Sequence, residues 1–113
     1  MNEPRIRAAL DQLASAATEL ASLCDREAPE YGPVWHGIAK NAAAAKDSLL
    51  RDELQDLLQG GVSMFAYRPG SFSEVYVQRS DYDEQIAENN KFDALKDRVA
   101  DALAALRSAM AIA

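Results

Sequence analysis

The spacing of apolar residues near the amino-terminus constrains the fold most strongly. Between residues 4 and 27 they recur at alternating intervals of four and three, at Ile6, Leu10, Leu13, Ala17, Leu20 and Cys24. This period predicts an α-helix with one apolar face that must pack against other helices. Pro4 suits its first turn, Asn2 or Glu3 can cap it, and Pro29 follows its end.

The length of the chain and its alanine content indicate how such helices pack. Its 113 residues predict one domain, 1–113. Alanine occupies 22 positions, and it is the best helix former but a poor core filler. We therefore expect a mainly α protein, a small antiparallel bundle of three to four closely packed helices.

Two further apolar stripes follow Pro33. The first contains Trp35, Ile38, Ala42 and Ala45, and the second contains Leu50, Leu54, Leu57 and Leu58. The stripe shifts by one residue near 46–48, where Asp47 or Ser48 can cap a third helix. Two helices and one kinked helix over 33–59 both fit this pattern. Gly60-Gly61 is expected to end the helix.

Residues 62–67 and 72–77 are rich in β-branched and aromatic side chains, and residues 68–71 (R-P-G-S) fit a type II turn. They predict a short β-hairpin or an extended loop at about 62–77. Residues 80–88 predict a short helix capped by Asp81, with Glu84 three residues on. Asn89-Asn90 then interrupts, and Asn90 caps a last helix whose buried stripe contains Phe92, Leu95, Val99, Leu103 or Ala102, Leu106 and Met110.

The charge balance excludes several classes of partner. A net charge of −6 argues against binding to nucleic acid or to an anionic membrane, and it suits a basic protein partner. The amino-terminus lacks the apolar run of a signal peptide, and the longest uncharged stretch, 57–67, has 11 residues, too few to span a bilayer. We expect a cytoplasmic protein.

Few residues offer catalytic or metal-binding chemistry. A single Cys24 and a single His36 exclude a Cys/His metal site, and Cys24 on the helical seam is expected to be a buried apolar residue. The acidic run from Asp81 lacks the glycine and the glutamate of a calcium loop, because Ile86 and Phe92 stand at those places. The sequence predicts no cofactor, no metal and no enzymatic activity.

The segment 60–80 differs from the rest of the chain because it is slightly basic, and five of the eight aromatic residues lie within 65–82. Exposed aromatic residues beside arginine are typical of binding hot spots. Such a segment either packs flat and completes the core or faces a partner. The predicted partner contacts are Phe65, Tyr67, Arg68, Phe72, Glu74 and Tyr76, together with the acidic Asp81 and Asp83.

The motif L-x-x-L-L-x-G-G at 54–61, followed by G-S-F-S-E-V-Y-V at 70–77 and a helix after Asn90, resembles a bacterial family of small helical domains. The matching positions are Gly60, Gly61, Gly70, Ser71, Phe72 and Glu74. Members of that family are suspected immunity proteins that neutralise polymorphic toxins. The resemblance implies a protein that binds a toxin, and it implies no catalytic residue.

The leading hypothesis is a non-enzymatic binding protein, an immunity protein that occludes the active site of a basic toxin or enzyme. The alternative is a self-associating structural or regulatory bundle. In it, the seam of the first helix or the last helix pairs across a homodimer. An enzyme is a third possibility, and it would require a pocket in which His36 meets two carboxylates.

Overall fold

The structure is a computed structural model that describes residues 2–65, 72 and 75–111. In these residues the chain forms four α-helices and one short 3-10 helix. They are α1 (Glu3–Glu27), the 3-10 helix (Pro29–Tyr31), α2 (Gly32–Ser48), α3 (Arg51–Ser63) and α4 (Tyr82–Met110). The predicted mainly helical bundle is confirmed.

Helix α1 is the centre of the bundle. All six residues of its predicted seam are completely buried. Its amino-terminal end is capped as expected, because the side chain of Asn2 accepts a hydrogen bond from the Arg5 amide at 3.3 Å. The apolar face of α1 is too wide for one neighbouring helix to cover. Helix α1 therefore packs against both α2 and α4.

Both neighbours run antiparallel to α1. On the α2 side, Lys46 Nζ lies 2.7 Å from Asp11 Oδ1 near one end of the pair. On the α4 side, the amide of Asn2 donates to the carbonyl of Ala109 at 3.3 Å, and further along the pair Arg98 bonds to Glu19. The end of α1 and the start of α4 therefore lie at the same end of the bundle.

The structure decides between the two alternatives for residues 33–59. Helix α2 ends at Ser48, and Leu49 adopts a left-handed conformation with φ 50°, so α2 and α3 are separate helices. Neither Asp47 nor Ser48 caps α3, because both belong to α2. The Ser48 hydroxyl instead donates to Glu53 Oε2 at 2.9 Å and so links the two helices across the turn.

The prediction that Gly60-Gly61 ends the helix is wrong. Helix α3 continues to Ser63, so Val62 and Ser63 are helical and not part of a strand. A Cβ atom on Gly61 would lie 2.6 Å from Leu103 Cδ2, which shows how closely α3 approaches α4 at this point. Glycine is retained inside the helix because it permits this contact.

No β-strand occurs in the part of the chain that the structure describes, so the predicted hairpin is not seen there. Of the described residues of 62–77, Val62 and Ser63 belong to α3, and residues 75–77 have no regular secondary structure. The predicted type II turn at 68–71 lies outside the described residues.

Helix α4 is continuous, and the predicted interruption at Asn89-Asn90 is wrong. Asp81 caps it as predicted, with its side chain accepting from the Asp83 amide at 2.9 Å. The predicted stripe is buried except for Leu95, which is partly buried. No helix of the described residues is long and apolar enough to cross a membrane.

The two glycines in α3 provide a matched test of this packing. Nothing lies within 4 Å of a Cβ added to Gly60, so Gly60→Ala should raise the free energy of unfolding by about 0.5–1 kcal/mol through helix propensity. Gly61→Ala should instead leave the protein about 1–2 kcal/mol less stable than Gly60→Ala, because Leu103 must move. Urea denaturation measures both; equal stabilities for the two variants would contradict the close contact.

Candidate functional site

Phe72 lies at the centre of a cluster of aromatic rings. Its ring centroid is 5.1 Å from that of Tyr31, 5.2 Å from Trp35 and 5.9 Å from Phe92. Only 2% of Phe72 is exposed, so this predicted partner contact packs in the core and is not accessible in this structure. The ring fills the space between Trp35 of α2 and Phe92 of α4.

Phe65 belongs to the same cluster. Its ring lies 5.8 Å from Trp35 and 6.3 Å from Phe72, and the residue is only partly exposed. The sequence left open whether this part of the chain completes the core or faces a partner. In the structure the answer differs from one residue to the next. Phe65 and Phe72 contribute to the core.

Lys96 covers this cluster. Its Nζ atom lies 4.3 Å from the Phe92 ring centroid and 5.2 Å from that of Phe72, and it donates a 2.9 Å hydrogen bond to the carbonyl of Val75. Burial lowers the pKa of Lys96 from its ordinary value, an effect that the nearby Asp93 carboxylate opposes. The ammonium group thus makes cation–π contacts and secures the chain just after Phe72.

Residues 75–79 are held against α4 by side chains of that helix. Asn89 makes two hydrogen bonds with Val77, accepting from its amide at 2.7 Å and donating to its carbonyl at 2.8 Å. The Arg79 amide donates to Gln85 Oε1 at 2.9 Å. These amide side chains occupy the place that a neighbouring strand would take in a sheet. They also explain why Asn89 lies inside a continuous helix, whereas Asn90, the predicted cap, is exposed within that helix.

Arg79 joins this segment to α1. Its guanidinium makes a bidentate contact with the Glu27 carboxylate, and its Nε lies 3.4 Å from Glu84 Oε1. The hydrogen bond from Arg79 lowers the pKa of the Glu27 carboxyl below its ordinary value and raises the pKa of Arg79 in turn. The pair links residues that are far apart in sequence.

Large apolar side chains remain exposed beside this segment. Tyr76 is 58% exposed, Tyr82 is 73% exposed and Ile86 is 44% exposed. Tyr82 lies one turn before Gln85 and two turns before Asn89, so it continues the edge of α4 that holds residues 75–79. Ile86 follows Tyr82 by one turn on the outer side of that edge.

We define the Tyr82 surface as the exposed residues Tyr76, Tyr82, Ile86, Asp81 and Asp83. It lies at the end of the bundle where α1 ends and α4 begins. The acidic residues at this end are Asp25, Glu27, Glu30, Asp81, Asp83, Glu84 and Glu88, and the basic residues there are Arg26 and Arg79. The Tyr82 surface therefore combines exposed aromatic rings with a local excess of negative charge.

The predicted partner contacts divide into three groups. Tyr76, Asp81 and Asp83 are exposed, as a contact requires. Phe65 and Phe72 pack in the core. Tyr67, Arg68 and Glu74 lie outside the described residues.

Sequence reasoning missed Tyr82 and Ile86 as surface residues, and it missed Gln85, Asn89 and Lys96 as anchors. One available signal was the four-residue spacing of Tyr82 and Ile86 within an otherwise acidic run, because this spacing places two apolar side chains on one helix face away from the core stripe. The anchors gave no comparable signal, since a polar residue in a helix usually faces water.

Among the described residues, His36 and Cys24 do not combine into a nucleophilic centre. His36 Nε2 lies 2.7 Å from Asp25 Oδ2, with both side chains about half exposed. Cys24 is completely buried, as predicted, and burial, followed by the charge of Asp25, raises its pKa to about 11. A thiol in this state is a poor nucleophile at neutral pH.

The other depressions in the described residues carry no such chemistry. One depression, of ≈ 430 Å³, lies between α2 and α3. Its walls include Ile38 and Leu57, with the carboxylates of Glu53 and Asp56 at its rim. The residues that line it do not include His36.

Comparison of the chain with models of protein families, with curated proteins and with solved structures found no match. The function is therefore inferred from the residues of the Tyr82 surface.

Two adjacent asparagines test the anchoring of residues 75–79. Asn89→Ala removes the bonds to Val77 and one to the Gln85 carbonyl, and it should lower the free energy of unfolding by about 1–3 kcal/mol. The exposed Asn90 provides the control, because Asn90→Ala should be neutral or stabilising through helix propensity. Urea denaturation and hydrogen exchange at the Val77 amide measure the effect. Unchanged protection of that amide in Asn89→Ala would contradict the contact.

The Arg79–Glu27 pair predicts a pH dependence. The folded-state pKa of Glu27 is below its ordinary value of 4.5, so the pair stabilises the fold above that value. This stabilisation is lost as the pH falls through the folded-state pKa. Urea denaturation from about pH 6 to about pH 2 should show a steeper loss of stability in the parent protein than in Glu27→Gln or Arg79→Gln. Parallel curves for all three proteins would refute this role.

Proposed function

We propose that this chain is a non-enzymatic protein-binding protein and that the Tyr82 surface is where its partner binds. The observation that carries the proposal is the exposure of Tyr76, Tyr82 and Ile86 together at one end of the bundle. Water-exposed rings of this size contribute nothing to the core, whereas tyrosine is enriched in interface hot spots. A partner that covers them gains apolar burial in its complex.

The charge around the surface indicates the chemistry of the partner. Asp81, Asp83 and Glu84 surround the exposed rings, and the chain as a whole carries a net charge of −6. Such a surface attracts a basic protein and accelerates the encounter, while it repels nucleic acid and anionic lipid. The partner we propose is therefore a basic protein.

A narrower form of the proposal is an immunity protein that occludes the active site of a cognate toxin. The acidic charge, the small size and the resemblance at residues 54–61 and 70–77 support it. Two matching positions have structural roles here, because Gly61 permits the contact with Leu103 and Phe72 anchors the loop. The resemblance at these two positions therefore reflects the fold as well as any shared partner.

The packing of α1 argues against a homodimer in which its apolar seam pairs with a second copy of the chain. All six seam residues are buried against α2 and α4. A second copy could reach them only if the bundle opened. Sedimentation of the free protein at high concentration tests self-association through any other face.

The proposal predicts which substitutions weaken binding. The probe is the purified product of the adjacent gene, titrated by calorimetry. Combined Tyr82→Ala and Ile86→Ala should weaken affinity at least ~10-fold, as loss of a hot spot does, without lowering stability, because both side chains are exposed. Asp83→Asn should mainly slow association and reduce its salt dependence.

Leu50→Ala is the matched control for these variants. Leu50 is also exposed, at 55%, but it lies at the turn between α2 and α3, near the opposite end of the bundle. Its variant should bind like the parent. Equal affinity of the parent and the Tyr82/Ile86 variant, with both folded, would exclude this surface.

A further inference from the structure

We propose that the partner binds by adding an extended strand to the outer edge of residues 75–79. This inference rests on the proposed function, and it specifies how the Tyr82 surface would be used. Addition of a strand to an open edge is a general mode of peptide recognition, in which main-chain hydrogen bonds supply affinity and the flanking side chains supply selectivity.

The first argument is that residues 75–79 form neither helix nor turn and are already paired on one side. Burial alternates along them, since Val77 is buried while its neighbours Tyr76 and Gln78 are exposed. The backbone bonds alternate in the same way, because the groups bonded to α4 belong to Val75, Val77 and Arg79. A period of two in both properties is characteristic of a β-strand.

The second argument concerns the opposite edge. In an extended chain, backbone groups of alternate residues point to opposite sides, so those of Tyr76 and Gln78 point away from α4. Within the part of the chain that the structure describes, neither amide has a hydrogen-bond partner, and neither does the Tyr76 carbonyl. The Gln78 carbonyl accepts only from the neighbouring Arg79 side chain, at 2.8 Å. Unpaired groups in this arrangement form a template for another strand.

The third argument identifies the occupant as an extended, basic segment of the partner. A strand lying along Tyr76 and Gln78 would run past the carboxylates of Asp81 and Asp83 at one end. Arg79 leaves no free positive charge to oppose it, because Glu27 and Glu84 neutralise its guanidinium. Lysine or arginine at alternate positions of such a segment would meet these carboxylates, while its apolar residues would contact the exposed Tyr76 ring.

A pair of substitutions at one position separates the backbone from the side chain. Gln78→Pro removes the outward amide, and Gln78→Ala keeps that amide while removing the same side chain. Proline is tolerated on a strand edge where the amide has no partner, so Gln78→Pro should fold with its melting temperature nearly unchanged. The inward bonds of Val77 and Arg79 remain available in both variants.

The probe is a seven-residue peptide of alternating lysine and valine, titrated into isotope-labelled protein and followed by amide chemical shifts. We expect shifts concentrated at residues 75–79 and 81–86, with affinity at least ~10-fold weaker for Gln78→Pro and within ~2-fold of the parent for Gln78→Ala. A peptide of alternating glutamate and valine should not bind. Equal affinity of the two variants, or equal binding of the acidic peptide, would overturn the inference.

Hydrogen exchange in the parent protein provides a measurement that does not depend on the variants. The amides of Tyr76 and Gln78 should exchange quickly in the free protein and become protected when the lysine–valine peptide is bound. Bound peptide without such protection would mean that no strand is added.

The titration with the adjacent gene product separates this inference from the proposed function. If the Tyr82/Ile86 variant does not bind but Gln78→Pro binds fully, the Tyr82 surface is supported as the binding site and strand addition is rejected as the binding mode. Full binding by both variants would reject the surface and, with it, the inference.

Discussion

Phe72, which lies between α3 and α4 in the sequence, packs its ring against side chains from three other elements. Its ring packs against Tyr31, Trp35 and Phe92, which come from the 3-10 helix, α2 and α4. Complete burial of one phenylalanine contributes about 2–3 kcal/mol, and each well-oriented aromatic pair adds about 0.5–1.5 kcal/mol. Without this ring, the gap between α2 and α4 would be open, and residues 75–79 would be held along α4 by polar contacts alone.

Polar contacts hold residues 75–79 along α4. A backbone that leaves water needs hydrogen-bond partners, and residues 75–79 have no neighbouring strand among the described residues to supply them. Side chains of α4 supply them instead, through Asn89, Gln85 and Lys96. Helix α4 must therefore remain continuous through Asn89, because a break there would turn the amide away from Val77.

The sequence was most informative where packing is periodic. The seam of α1 and the stripe of α2 were predicted correctly, because burial of a helix face repeats with the helix itself. Gly61 and Asn89 were misinterpreted, because each is explained by a tertiary contact that no local pattern contains. The same holds for the candidate site. Phe72 and Tyr76 belong to the same aromatic segment, and only their tertiary contacts decide that one is buried and the other exposed.

The anchoring of residues 75–79 also affects the thermodynamics of any encounter at this end of the bundle. Ordering a flexible loop costs about 1–2 kcal/mol per residue in backbone entropy, and in a mobile segment that loss would be subtracted from the affinity. Here the bonds from Val75, Val77 and Arg79 to α4 have already restricted the backbone during folding. The segment is preorganised, so its contacts with a ligand would contribute to binding with little conformational penalty.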